Sequence, residues 1–573
     1  MRARPMAVAG LCSSALVVGL SITCVAGPAS ATTTRTTVTT DQSYWVPVGK
    51  QLVVRGHGFG HGHGMSQYGA QGAARQGLDH QQILDFYYPG TTPAQVHGRI
   101  RVLIGEDTTS DLVVAPAPGL TLRDRGDGQT YRLPDIDGVR RWRLRVGPDD
   151  HTVVRYKTRH WHAWTTPDGK KELAGDGEFF ADGPLTLFTP SGRHEYRGVL
   201  RSASPRRGSG TRDTVNVLSM DEYVKGVVPA EMPASWEPAA VRAQAVAART
   251  YGAWSRAQHP HRYYQICDTS SCQVYRGVDG EDRRSNDAVD ATSGEILTYD
   301  GNAAFTQFSS SDGGWTSAGS VPYLPAKADP YDDFAGNPVH DWSRTVDAGR
   351  LEDAYPSIGR LRRIEVVGRD GNGDWQGRVE HALLDGTRAD VTVTGDTMRW
   401  LLGLRSDWFT IAPTPIMARW HRIGGDSSKL GDVASREYGV RHGSTQKFAH
   451  GRIYYSRHTG AHELYGAVLK AYRAAGAAKS RLRLPVTRVQ KRKPGVRAKF
   501  QGGVIYASPA TGAQVLVGKV GRRYRQLHGV FGYLGWPTRG NYDTATGERA
   551  DFQHGYMTWS ARTGHVTVHP HPR

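Results

Sequence analysis

Between residues 448 and 564 the chain repeats itself every 52 residues. Phe448, Phe500 and Phe552 keep that step, and so do Thr459-Gly460, Thr511-Gly512 and Thr563-Gly564. Tyr472 and Tyr524 keep it as well, as do Pro485 and Pro537. A fixed period of this length dictates small units stacked on one another, because no single unit can bury its apolar face alone. The repeated string FxxGxIYxSxxTGA reads as short β-hairpin units, with imperfect copies: LRLP stands at 482–485 where LGWP stands at 534–537. Charge divides the chain at the same place. Residues 421–573 carry 26 Lys and Arg against 7 Asp and Glu, whereas residues 1–420 carry 46 against 47. The net charge of +18 therefore resides in the tail, and such a tail suits a polyanionic partner or a solvated surface.

The other end reads as an export signal. Arg2 and Arg4 precede an apolar run, and Ala29-Ser30-Ala31 is an A-x-A cleavage site, so residues 1–31 are expected to be removed and the protein secreted. An uncleaved anchor is the alternative. Removal takes Cys12 and Cys24 with it and leaves Cys267 and Cys272. An exported protein meets wall polymers before nucleic acid, so anionic wall polymers, and no nucleic acid, are expected on the basic tail.

Between these ends lies Val215–Trp254, which joins an apolar run, a Pro-bracketed glutamate (Pro229-Ala-Glu-Met-Pro233) and an alanine-rich helix. Proline fixes φ and lacks a donor, so Glu231 is expected on a stiff loop. Ser235 reads as the helix N-cap, and Trp236, Ala240, Ala243, Ala247, Tyr251 and Trp254 form its buried stripe. Apolar neighbours raise a carboxyl pKa and suit a general acid. A loop glutamate bonded to nearby backbone N–H groups is the plainer alternative.

Upstream, Gly56–Ala70 alternates glycine with His57, His61 and His63, which suits donors, proton carriers or metal ligands, or a solvated loop. Downstream, Ser309-Ser-Ser-Asp-Gly-Gly-Trp-Thr316 offers hydroxyls and a flat indole, which suit a sugar, although a turn with a core tryptophan fits too. Cys267 and Cys272 either form a disulfide or hold zinc with His261 as third ligand. GRDGNGDWQGRVE mimics a calcium loop but has Trp375 and His381 where glycine and glutamate belong, so it reads as a hairpin turn. From Arg99 to Asn216 the chain reads as strands.

The string YVKGVVPAEMPASWEPAAVRAQAVAARTYGAW closely resembles the core of the stage II sporulation protein D / LytB family of bacterial wall proteins. So do GHGHGMSQYGA, CDTSSCQVYRG and SSSDGGWT, the first displaced to the N-terminal side from its usual place late in the domain. The tail resembles LGFP repeats. These resemblances imply an α+β chain: a strand-rich catalytic domain with an alanine-rich core helix over 32–420, then three small β-rich wall-binding repeats over 421–573. They imply a lytic transglycosylase with Glu231 as its acid, acting on peptide-stripped peptidoglycan glycan strands. His57, His61, His63, Gln67, Tyr68, Ser310, Ser311, Trp315 and Thr316 would then bind substrate. Zinc on Cys267, Cys272 and His261 and an N-acetylmuramoyl-L-alanine amidase as partner are implied the same way. A non-cutting, LytB-like amidase enhancer is the rival implication.

Overall fold

A computed structural model describes residues 42–147, 150–206 and 208–572. The export signal over 1–31 and the Thr-rich lead-in lie outside the described residues. Strand (36%) exceeds helix (22%) and is spread over nine sheets, the α+β class expected.

The part before the repeats has two hydrophobic cores. The larger gathers residues from Met65 to Leu324. Within it a seven-stranded sheet begins with Ile266–Cys267, Arg99–Leu103, Asp213–Ser219 and Val199–Ala203. A six-stranded sheet, including Arg141–Val146, Thr152–Lys157 and Leu185–Thr189, shares that core through Leu144, Val154, Leu185 and Leu187. The stretch HEYRGVLR spans two strands: Gly192–Tyr196 belongs to the second sheet and Val199–Ala203 to the first. Gly198 at φ +75° makes the turn between them.

Five helices complete this core: α1 (Gln67–Arg75), α2 (His80–Tyr87), α3 (Met220–Glu231), α4 (Pro238–Gln258) and α5 (Arg283–Ala291). Ala240, Ala243, Ala245, Ala247 and Ala248 leave α4 thin enough for the other four helices to touch it, and all five alanines are fully buried. The smaller core was not anticipated. It joins residues 46–54 to residues 342–411, with Gln51–His57 paired between Asp341–Asp347 and Phe409–Ile411. Residues of Gln51–His57 alternate exposed and buried as far as Gly56, so one face of that strand seals the core.

The repeats are larger than hairpins. Each is a four-stranded antiparallel meander with a helix across it: Pro415–Arg422, Gly466–Ala474 and Gly518–Gln526. Phe448, Phe500 and Phe552 are buried, and each stacks on an aromatic ring from the preceding helix, Trp420, Tyr472 and Tyr524. Those rings also hydrogen-bond through Trp420 Nε1 and the two tyrosine hydroxyls to the carbonyls of Gly431, Arg483 and Gly535. The period thus reaches back to Trp420, and the boundary at residue 420 falls inside the first unit's helix. No described helix is long and apolar enough to cross a membrane.

Candidate active site

Glu231 is the last residue of α3, not a loop residue. The helix starts at a capping box: Ser219 Oγ accepts from Glu222 N, and the Glu222 carboxylate accepts from Ser219 N. Val224, Val227 and Val228 bury its apolar face, and this packing carries it through Pro229 for one further half-turn. The following helix likewise starts later than expected. Glu237 occupies the cap position without a side-chain bond, and Pro238 supplies the fixed φ of N1.

Burial pushes the Glu231 carboxyl above its ordinary range, since the charged form loses water. The Val274 N–H opposes this by donating to Oε1 at 3.0 Å. With Oε1 so occupied, the acidic proton belongs on Oε2.

Val274 is held by the cysteine loop. Cys267 and Cys272 form a disulfide, S–S 2.17 Å, so their sulfurs are not free thiolates. His261 is exposed, and no contact among the described residues joins it to either sulfur. Beyond the bridge, Gln273 Oε1 accepts from the Tyr223 hydroxyl at 2.9 Å, Tyr275 donates to Asn216 at 2.7 Å, and the Arg276 N–H bonds Gly226 O. The loop is therefore tied to α3 at Tyr223, Gly226 and Glu231, and to the strand Asp213–Ser219 at Asn216, so the Glu231 contact is one of a series.

The displaced N-terminal element docks on the other side of the acid. Met65–Ser66 pairs in parallel with Phe308–Ser309, Ser66 caps α1, and Tyr68 N donates to Ser310 O. Tyr68 packs on Trp236 with ring centroids 4.8 Å apart. Gln71 Oε1 accepts from Glu237 N, and Gln67 reaches Gln244 on α4. Thus α1 braces the Met232–Glu237 segment just after Glu231, though some 160 residues separate them in sequence. Gln71 and Trp236 were not singled out as site residues, and their spacing alone gives no sign of this contact.

The three histidines do not converge. His61 and His63 stack at 5.0 Å, and His61 Nδ1 accepts from His63 N. Burial, then the neighbouring His63 and arginine charges, push the His61 pKa down to about 3, so it is neutral at physiological pH. His57 instead sits among Trp375, Trp408 and His340.

The expectation that the 309–316 loop presents its hydroxyls outward needs correction. Ser311 is fully buried and donates to Asp332, which also accepts from Ser66, Asn337 and His340. Thr316 is buried and donates to Pro325 O. Trp315 is half-buried with its indole N–H enclosed, not exposed. The loop lies against the glycine strip, pairing Phe59 with Ser311 and His63 with Ser317. A Cβ on Gly58 would come within 2.7 Å of Ser311 O, and φ is +71° there, so only glycine fits. Asp312, Asp329 and Asp332 meet behind it, all buried; burial and mutual repulsion raise Asp312 and Asp329. The calcium-like stretch is a turn, with Asp370 Oδ1 accepting from Asn372 N and Arg378 N.

A half-buried glutamate at a helix end in an α+β head, followed by tandem repeats, defines a modular protein. Residues 208–299 match the stage II sporulation protein (SpoIID) family model, and 430–480, 482–532 and 534–571 match the LGFP repeat. The head is thus similar to SpoIID/LytB proteins, and the tail is similar to LGFP repeats. It is 39% identical over 135 residues to the amidase enhancer of Bacillus subtilis strain 168, covering 22% of this chain and 17% of that protein. It is 30% identical over 240 residues to stage II sporulation protein D of Bacillus amyloliquefaciens (37% and 63% of the two chains). The Bacillus subtilis protein D gives 31% over 217 residues (34% and 60%). The chain thus spans between about a sixth and five-eighths of the length of these relatives. The SpoIID match and these relatives support a cell-wall-related role.

Proposed function

We propose that the protein is a peptidoglycan lytic transglycosylase with Glu231 as its general acid and base. The observation that carries this is the Glu231 carboxyl: protonated more readily than usual, fixed through Oε1, and placed where a helix ends. Its proton passes from Oε2 to the oxygen linking N-acetylmuramic acid C1 to N-acetylglucosamine. The C1–O bond breaks, and N-acetylglucosamine leaves with that oxygen as a hydroxyl. The resulting carboxylate then takes the proton of the muramic 6-hydroxyl as its oxygen closes on C1. A 1,6-anhydro end forms and Glu231 is reprotonated, so no water and no second carboxylate as nucleophile enter.

Tyr68 and Trp236 lie at the Met232–Glu237 segment that follows the acid and are the aromatic surface for a sugar ring. His57, His61, His63 and Trp315 border the glycine strip farther along. The resemblance adds a preference for strands already stripped of stem peptides, which an amidase would supply. The repeats, with their excess of arginine, hold the protein on anionic wall polymers, and the protein is secreted.

The second reading is a non-cutting enhancer of an amidase. The 39% identity to an amidase enhancer favours it. Mass spectrometry of denuded glycan strands after incubation separates the two. Anhydro-muramic ends made by the wild type support the enzyme; unchanged strands together with faster cleavage by added amidase support the enhancer.

A further inference from the structure

Glu231 leaves a second constellation unused, where the two cores meet. The register of strand Gln51–His57 against Asp341–Asp347 sets His57 directly opposite Asp341. His340 precedes Asp341, and its carbonyl accepts from Gly58 N at 2.9 Å. One donor atom from each of His57, His340 and Asp341 lies within 4.8 Å of the other two. Asp374, on the tip of the calcium-like turn, brings Oδ2 to 3.7 Å from His57 Nε2.

We propose that His57, His340 and Asp341 form a divalent metal site of the zinc class, with Asp374 at its rim. Three observations beyond the cluster support this. His57 is buried, yet neither ring nitrogen has an aligned hydrogen bond; Asp341 Oδ1 approaches Nδ1 to 2.6 Å without that alignment. Nε2 of this buried imidazole is left without a hydrogen-bond partner and Nδ1 meets only the misaligned Asp341 carboxylate, which is costly, and a metal ion removes the cost. Next, His340 Nδ1 donates to the buried Asp332 at 2.8 Å, which leaves the Nε2 lone pair as the ligand and fixes the ring. That carboxylate–histidine relay is how proteins orient metal-binding imidazoles. Finally, the site is walled. Trp375 and Trp408 lie 4.4 and 4.8 Å from the His57 ring, and Trp375 is held at φ +55°, which a non-glycine residue adopts only when its surroundings enforce it. Two nitrogens with one or two carboxylate oxygens match zinc better than calcium or magnesium, which take oxygen alone.

The ion would pin the 370–378 turn to the sheet that carries the glycine strip. This site needs neither the cysteines nor Glu231. The test is titration of chelator-treated, oxidised full-length protein with zinc, followed by calorimetry and thermal melting, and with cobalt(II) followed by absorption. The expected result is one saturable equivalent, a higher melting temperature, and cobalt d–d bands without a thiolate charge-transfer band. Asp341→Asn alters an exposed side chain and should fold normally, yet weaken zinc at least about 10-fold, as losses around metal sites typically do. His57→Asn should abolish binding. No saturable zinc binding by the wild type overturns the proposal. So does unchanged affinity in folded Asp341→Asn, or a thiolate band, which would place the metal on Cys267 and Cys272.

Discussion

Glu231→Gln should separate catalysis from folding. The amide keeps the shape and leaves an oxygen to accept from Val274 N, but it has no proton to give. An acid–base group is worth about 10²–10⁴-fold, or roughly 3–5 kcal/mol of barrier at 1.36 kcal/mol per tenfold, and Glu231 serves both steps, so loss at the upper end is expected. Stability should move the other way. The folded-state pKa of Glu231 is raised, so between its unfolded and folded values the native chain holds a proton that the unfolded chain has released. Stability then falls as pH rises, by up to about 1.4 kcal/mol per pH unit for one group, and levels off above the folded pKa. Glutamine carries no such term. The variant should therefore match the wild type in acid and be the more stable of the two at neutral pH.

Denaturant melts at acid and neutral pH, together with mass-spectrometric release of anhydro sugars across the same range, provide the assay. Wild-type cleavage should decline as pH rises through the Glu231 pKa. A glutamine variant that releases anhydro ends at near wild-type rate would remove Glu231 from the chemistry. One that fails to fold would show a structural carboxylate.

Other outcomes follow from the same contacts. Intact mass should be two hydrogens short with no metal at the cysteines, and Cys272→Ser should cost about 2 kcal/mol for this short loop and lower cleavage by loosening Val274; free thiols without metal would defeat both bridge and zinc. Phe500→Ala removes the ring stacked 4.7 Å from Tyr472 and should destabilise the repeats by about 3–5 kcal/mol in denaturant melts, with cleavage of soluble glycan unchanged. Truncation before Thr414, which spares no partial repeat, should keep that cleavage but lose binding to intact walls. Salt should weaken full-length binding, because exposed charges are screened within about 8 Å at physiological ionic strength; equal sedimentation with walls for both forms would refute the tether.

What could be read in advance follows from where each contact is encoded. The buried alanines of α4 and the three phenylalanines of the tail repeat at fixed local spacings, and local spacing is what a sequence displays. Trp420 escaped the 52-residue pattern because it stands where later units have tyrosine, and the repeat helix escaped with it. Proline misled at Glu231: its lost hydrogen bond is tolerable two residues from a helix end that valine packing already holds in place. The histidines failed for a different reason. Gly58, Gly60, Gly62 and Gly64 all have positive φ, between +67° and +119°, so the strip between His57 and His63 is no strand. Side chains two apart then need not share a face, as the period-two rule would require. That is why His61 and His63 lie together while His57 turns toward His340, 283 residues away. A partner at such a distance is fixed by the register of one strand pair, and no spacing within the motif could have announced it.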